Sequence, residues 1–114
     1  MVQRRDSERS TKILILEKMR TYSGIVENGD ESVTNDVIED WAMDDGWDLD
    51  TLDVYSRLVY TDGYSVDFEF TAQPPANFSD SMAEASLGML SLLIEKAHKG
   101  LSGEDAYVQW TSKY

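Results

Sequence analysis

The sequence predicts a small α+β domain with two N-terminal helices, one β-hairpin, a central C-terminal helix and a short last helix. Residues 82–99 have the apolar width and the end signals of a buried helix, whereas residues 54–71 are rich in Val, Tyr and Phe around a turn. A chain of 114 residues supplies one core rather than two. We therefore expect a single domain at residues 7–114, preceded by a flexible basic arm at residues 1–6.

The first N-terminal helix is predicted from apolar spacing, because Ile15, Met19 and Tyr22 recur at i, i+4 and i+7. It begins at residue 7 and ends at the Ser23-Gly24 pair. The aliphatic run at residues 13–16 could also form a short strand. The charged helix formers on both sides of that run favour a helix.

The second helix follows a turn signal at residues 28–30. Ser32 or Thr34 can cap its start, and it ends at Asp45 before Gly46. Residues 47–53 are too short a segment to assign: they could form a helical turn or a connector that places Trp47, Leu49 and Leu52 in the core. The apolar face of the second helix consists of Val33, Val37, Ile38 and Trp41.

The register of the hairpin follows from its two faces. A three-residue loop would consist of a type I turn followed by a left-handed Gly63. It pairs Tyr60 with Tyr64 and sets Arg57 opposite Asp67 on the solvent-exposed face. A two-residue loop would instead set Arg57 opposite an aromatic residue on the apolar face. We therefore predict the three-residue loop. The apolar face then consists of Val54, Leu58, Tyr60, Tyr64, Val66, Phe68 and Phe70.

The central helix at residues 82–99 carries signals at both ends. Ser81 and Glu84 form a capping box, and Gly100 follows a last turn that holds Lys96, His98 and Lys99. We interpret His98 as a helix-end residue beside the negative end of the helix dipole. The apolar surface of this helix is wider than a single stripe, so either the other elements cover it or it forms a homodimer seam.

The last predicted helix starts at Ser102 with Asp105 and carries three aromatic residues at i, i+3 and i+7. We expect most of the aromatic residues named here to lie in the core, since large aromatic side chains contribute most when they are buried. They are Trp41, Trp47, Tyr107 and Trp110, and Tyr114 completes the spacing of the last helix.

The charge of the chain is strongly asymmetric. The net charge is −12, yet residues 1–20 hold six Lys/Arg against three acids. Residues 21–56 hold eleven acids and no Lys or Arg. Such a field repels nucleic acid and anionic lipid and attracts basic surfaces. We therefore expect no direct binding to nucleic acid and no membrane association.

The candidate site is a group of carboxylates in this acidic third. Four of them, at i, i+3, i+4 and i+8, share one side of the second helix, where neighbours stand about 5 to 6 Å apart. They repel one another mildly, so helix stability alone does not account for them. A solvated face that keeps the protein soluble is the alternative. The candidate partner-binding residues are Asp36, Glu39, Asp40, Asp44, Asp45, Asp48 and Asp50.

The residues give no signal for catalysis, a metal or a cofactor. Cysteine is absent, which excludes thiolate chemistry and suits a reducing cytoplasm, and there is one histidine. No EF-hand register fits the glycines, which leaves only weak, irregular Ca²⁺ or Mg²⁺ binding open. We expect a cytoplasmic protein without enzymatic activity; a carboxylate-based hydrolase would need an acid of raised pKa in a pocket.

Two functions follow as hypotheses. In the first, the carboxylates imitate the phosphates of a nucleic acid and inhibit a basic, nucleic-acid-binding protein, as small phage-encoded inhibitors and toxin-immunity proteins do by analogy of size and charge. In the second, the chain is an oligomeric assembly or chaperone-like protein, and its acidic surface only gives solubility.

Overall fold

A computed structural model describes residues 19–60 and 64–113 of the chain. It shows a small α+β domain in which two helices lie beside a four-stranded antiparallel sheet. The elements in chain order are β1 (Arg20–Glu27), α1 (Glu31–Asp45), β2 (Asp48–Tyr60), β3 (Tyr64–Gln73), α2 (Asp80–Ser102) and β4 (Tyr107–Lys113).

The strands lie in the order β2-β3-β1-β4, so each helix connects two strands that have a third strand between them. This is the split βαβ arrangement. Both helices cover one face of the sheet, since the core combines their apolar stripes with alternate strand residues. The buried core includes Tyr22, Val26, Ile38, Trp41, Val66, Phe70, Leu87, Leu90 and Ile94.

The hairpin confirms the predicted register. Tyr60 pairs with Tyr64, and Arg57 lies opposite Asp67, with 3.9 Å between the guanidinium and the carboxylate. Val66, Phe68 and Phe70 are buried on the helix-covered face, as expected from the alternation. The turn predicted at residues 61–63 lies outside the described residues.

The prediction of a first helix is wrong over its last part, because Arg20–Glu27 is the strand β1. The prediction for residues 7–18, like the flexible arm at 1–6, lies outside the described residues. Along β1, buried Tyr22, Gly24 and Val26 alternate with half-buried residues, which is the period of a strand. Tyr22 fits a helical and a strand pattern equally, and pairing with β3 and β4 on both sides decides in favour of the strand.

The prediction of a last short helix is also wrong, because Tyr107–Lys113 is the edge strand β4. Trp110 is half-buried against the core, whereas Tyr107 is exposed, which contradicts its expected place in the core. The spacing of these aromatics imitates a helical repeat, but antiparallel pairing of β4 with β1 satisfies the backbone instead.

The two predicted helices that the structure confirms begin and end close to their sequence signals. α1 is capped by Asp30 and not, as predicted, by Ser32 or Thr34, which lie inside the helix. The Asp30 side chain accepts a hydrogen bond from the Val33 backbone N–H at 3.1 Å, and the helix ends at left-handed Gly46 as predicted. α2 is capped by Ser79 and ends at Gly103, so it is longer at both ends than predicted. The predicted capping box of Ser81 with Glu84 and the predicted end at Gly100 are therefore wrong, since Ser81 and Gly100 lie inside the helix. Within the described residues, no helix is long and apolar enough to span a membrane.

Candidate protein-binding surface

Four of the seven predicted site residues form one exposed surface on α1, which we call the acidic ridge. It consists of Asp36, Glu39, Asp40 and Asp44. On an α-helix with 1.5 Å rise per residue, the ridge is about 12 Å long. It therefore presents about one carboxylate per 4 Å of helix axis.

The other three predicted residues lie beyond this ridge. Asp45 is half-buried, and its Oδ2 accepts a hydrogen bond from the Ser86 hydroxyl at 2.5 Å. Asp48 lies at the start of β2, where its Oδ1 accepts a hydrogen bond from the Asp50 backbone N–H at 3.0 Å. Asp50 itself is exposed. The first two therefore have structural contacts, and the ridge is the part of the predicted site that the fold brings together.

The ridge stands on a firmly packed helix. Ile38, Trp41 and Ala42 on the opposite side of α1 are buried in the core. The Trp41 indole N–H donates to the Ser86 carbonyl at 3.0 Å, and the Trp47 indole N–H donates to the Ser86 hydroxyl at 3.2 Å. Ser86 thus joins α1 and the start of β2 to α2. Buried aromatic packing with satisfied indole donors holds the ridge in one position.

His98 secures the other end of α1, a role that its position near the end of a basic run did not reveal. It is buried, its Nδ1 lies 2.7 Å from the Ile94 carbonyl, and its Nε2 accepts a hydrogen bond from the Asp30 backbone N–H at 2.9 Å. An acceptor at Nε2 and a carbonyl at Nδ1 require the neutral ring with its proton on Nδ1. His98 is therefore a buried link between the helices rather than a cation at a helix end.

The ridge carboxylates take no part in the ion pairs found among the described residues. Those pairs join Arg20 to Asp80, Arg57 to Asp67 and Lys99 to Asp105. The hydrogen bond from Arg20 to Asp80 also raises the pKa of the arginine above its usual value. The cations of these three pairs therefore neutralise carboxylates outside the ridge.

A groove lies between the two helices beside the ridge. α1 lines it with Val37, Asp40, Trp41 and Asp44, and α2 lines it with Leu93, Lys96 and Ala97. The outer flank of α2 continues from this groove as an exposed apolar strip that consists of Met82, Met89, Leu92 and Leu93. The sequence indicated this excess apolar width but not which side would remain uncovered.

Among the residues that the structure describes, no three His, Asp or Glu side chains form a group that could hold a metal ion. Comparisons with protein-family models, with curated proteins and with solved structures found no match to this chain. The surface itself must therefore support any functional conclusion.

Proposed function

We propose that this chain is a small acidic, non-enzymatic binding protein that engages a basic, nucleic-acid-binding protein through the acidic ridge and blocks it. The observation that carries the proposal is the row of four exposed carboxylates on the outer side of a rigid helix. Asp45, the last residue of α1, accepts a hydrogen bond from the Ser86 hydroxyl and so ties this end of the helix to α2.

The density of charge along the ridge suits a surface built for phosphates. One carboxylate per about 4 Å approaches the spacing of one phosphate per about 3.4 Å along one strand of B-DNA. Lys and Arg side chains that follow a nucleic-acid strand would meet a similar row of anions on α1. Binding would then release counterions from both surfaces and would weaken as the salt concentration rises.

The structure of α1 also lowers the cost of binding. Because Trp41 and Ile38 fix the helix in the core, little backbone entropy is lost when a partner docks on it. The net charge of −12 extends the attraction beyond the ridge and raises the association rate at low salt.

The test neutralises the ridge without changing its size, by Asp36→Asn, Glu39→Gln, Asp40→Asn and Asp44→Asn in one variant. The immobilised protein captures binding proteins at low salt, and duplex DNA is then added at constant ionic strength. Proteins that are held at a nucleic-acid site are released by the duplex. At about 0.2 to 1 kcal/mol for each of four exposed pairs, loss of the ridge should weaken binding by about 4-fold to about 900-fold.

A matched control removes the same amount of charge elsewhere, by Glu27→Gln, Asp53→Asn, Glu69→Gln and Glu104→Gln. All four positions are exposed and lie outside α1. The control should keep its partner, apart from a modest loss of association rate. Equal capture by the ridge variant and the native protein would contradict the proposal.

A second candidate function is an oligomeric assembly or chaperone-like role, and the exposed strip on α2 favours it. Light scattering separates the two functions. A stable oligomer that persists in high salt, with captured proteins that duplex DNA does not release, would support the second.

A further inference from the structure

The exposed strip on α2 is an apolar surface in a chain that is otherwise rich in acids. Its side chains keep large exposed fractions: 45% for Met82, 52% for Met89, 60% for Leu92 and 38% for Leu93. On a helix these residues share one flank, since they differ by 7, 10 and 11 positions. Glu95 lies on the opposite flank, where its carboxylate accepts a hydrogen bond from the Val108 backbone N–H at 3.0 Å.

The chain outside the described residues has the composition that this strip and its surroundings would attract. Residues 1–18 contain five Lys/Arg and three acids, a net charge of +2, whereas residues 19–114 contain five Lys/Arg and nineteen acids, a net charge of −14. Residues 13–16, Ile-Leu-Ile-Leu, are the longest run of large aliphatic residues in the sequence. Residues 1–18 therefore combine a charge opposite to that of the rest of the chain with an apolar run that matches the exposed strip.

This segment leads into β1, whose start lies beside one end of the strip. Arg20 at the start of β1 is ion-paired with Asp80, the first residue of α2, and Met82 follows two positions later. From Met82 to Leu93 the strip is about 17 Å long at 1.5 Å per residue. Ten residues before Met19 reach about 15 Å even at helical rise and up to about 33 Å when extended, so they can follow the strip along its length.

We propose that residues 1–18 of this chain bind the exposed strip of α2 within the same molecule, with the aliphatic run on Met89 and Leu93 and basic side chains towards the groove. In that groove the carboxylates Asp40 and Asp44 stand beside Trp41. The segment covers the apolar flank of α2 and neutralises part of the acidic surface next to it. Tethering at Arg20 makes the contact intramolecular and hence effective at any protein concentration.

The absence of cysteine from the chain makes a disulfide test direct. One full-length variant carries Ile15→Cys and Met89→Cys, and the matched control carries Ile15→Cys and Tyr55→Cys. Tyr55 is 62% exposed on the opposite, uncovered face of the sheet, two strands away from β1. The strand register puts Tyr55 about 14 Å from Arg20, and Met89 lies about 14 Å along α2 from Asp80, the ion-pair partner of Arg20. The tether alone therefore favours neither pair.

Under mild oxidation, the pair at 15 and 89 should form an intramolecular disulfide at least about tenfold faster than the control pair, at a rate independent of protein concentration. Non-reducing electrophoresis and mass measurement distinguish this product from linked dimers. Equal rates for the two pairs would overturn the proposal. Rapid formation of linked dimers by Met89→Cys alone would also overturn it, because a second copy would then occupy the strip.

A second measurement does not depend on disulfide geometry. The thiol of the single variant Met89→Cys should be alkylated at least about tenfold more slowly than that of Leu101→Cys, whose position is 75% exposed near the end of α2. Adding Ile13→Ser and Leu16→Ser should restore the rate at position 89. Protection that survives these two substitutions would show that another occupant covers the strip.

Discussion

A substitution at Gly24 gives the most stringent test of how closely β1 packs against its neighbouring strands. Gly24 lies in the middle of β1, between Phe68 on β3 and Trp110 on β4. A Cβ at this position would lie 2.6 Å from Phe68 Cζ, 2.8 Å from Phe68 Cε1 and 2.9 Å from the Gln109 carbonyl oxygen. The Phe68 ring cannot withdraw easily, because it is buried and packs edge-on against Trp110 with 5.3 Å between ring centroids.

The size of the effect of Gly24→Ala follows from two opposing terms. Overpacking of a rigid core costs about 1 to 3 kcal/mol. The reduced entropy of the unfolded chain returns about 0.4 to 1 kcal/mol. We expect a net loss of about 1 to 2 kcal/mol in the free energy of unfolding, or a Tm lower by about 5 to 10 °C for a domain of this size.

Urea unfolding followed by tryptophan fluorescence measures this loss, since Trp41 and Trp47 are buried. Gly88→Ala is the matched control, because a Cβ at Gly88 in α2 meets no atom within 4 Å. The control should be more stable by up to about 1 kcal/mol, as expected for alanine in a helix. If Gly24→Ala were as stable as the native protein, the close approach of β1 to Phe68 and to β4 would be wrong.

Three further predictions concern the links around α1. Ser86→Ala removes the acceptor of the Trp47 indole N–H and should lower the free energy of unfolding by about 1 to 3 kcal/mol, as measured in urea. The decrease should be smaller when Trp47→Phe is also present, and an equal decrease in both backgrounds would contradict the hydrogen bond. His98→Leu leaves the Asp30 backbone N–H without its acceptor and should lower the free energy of unfolding by about 1 to 3 kcal/mol, whereas no change would show that this link is not needed. The variant with a neutral acidic ridge should be more stable than the native protein in low salt, by about 0.6 to 1.5 kcal/mol from three like-charge pairs, and should unfold at a higher temperature. This difference in stability should shrink as NaCl is raised, and an unchanged difference would mean that repulsion along α1 is not its cause.

The parts of the fold that could be predicted from the sequence are those whose signals are local. α1 and α2 carry long apolar stripes, and the hairpin carries its register in the opposition of Arg57 and Asp67. The N-caps, Asp30 and Ser79, each lie two or more residues before the predicted ones. β1 and β4 could not be predicted in this way. Each is short, and each depends on partners 38 or more positions away, such as Phe70 for Tyr22 and Tyr107 for Glu27.

The same distinction between local signals and long-range packing applies to the candidate site. The acidic ridge could be recognised because helical spacing alone puts its four carboxylates on one side of α1. The involvement of Asp45 with Ser86 could not be recognised, since it depends on how the two helices pack. The uncovered flank of α2 could likewise not be predicted, because the apolar width of this helix is equally consistent with complete burial.

The strand order has a consequence for how the chain folds. β1 is a central strand, and its two neighbours, β3 and β4, follow it much later in the sequence. During synthesis, the hairpin and α1 can form early, but β1 remains unpaired on one side until residues 107–113 have left the ribosome. Folding should therefore be slow for a domain of this size and should finish only after translation has passed β4.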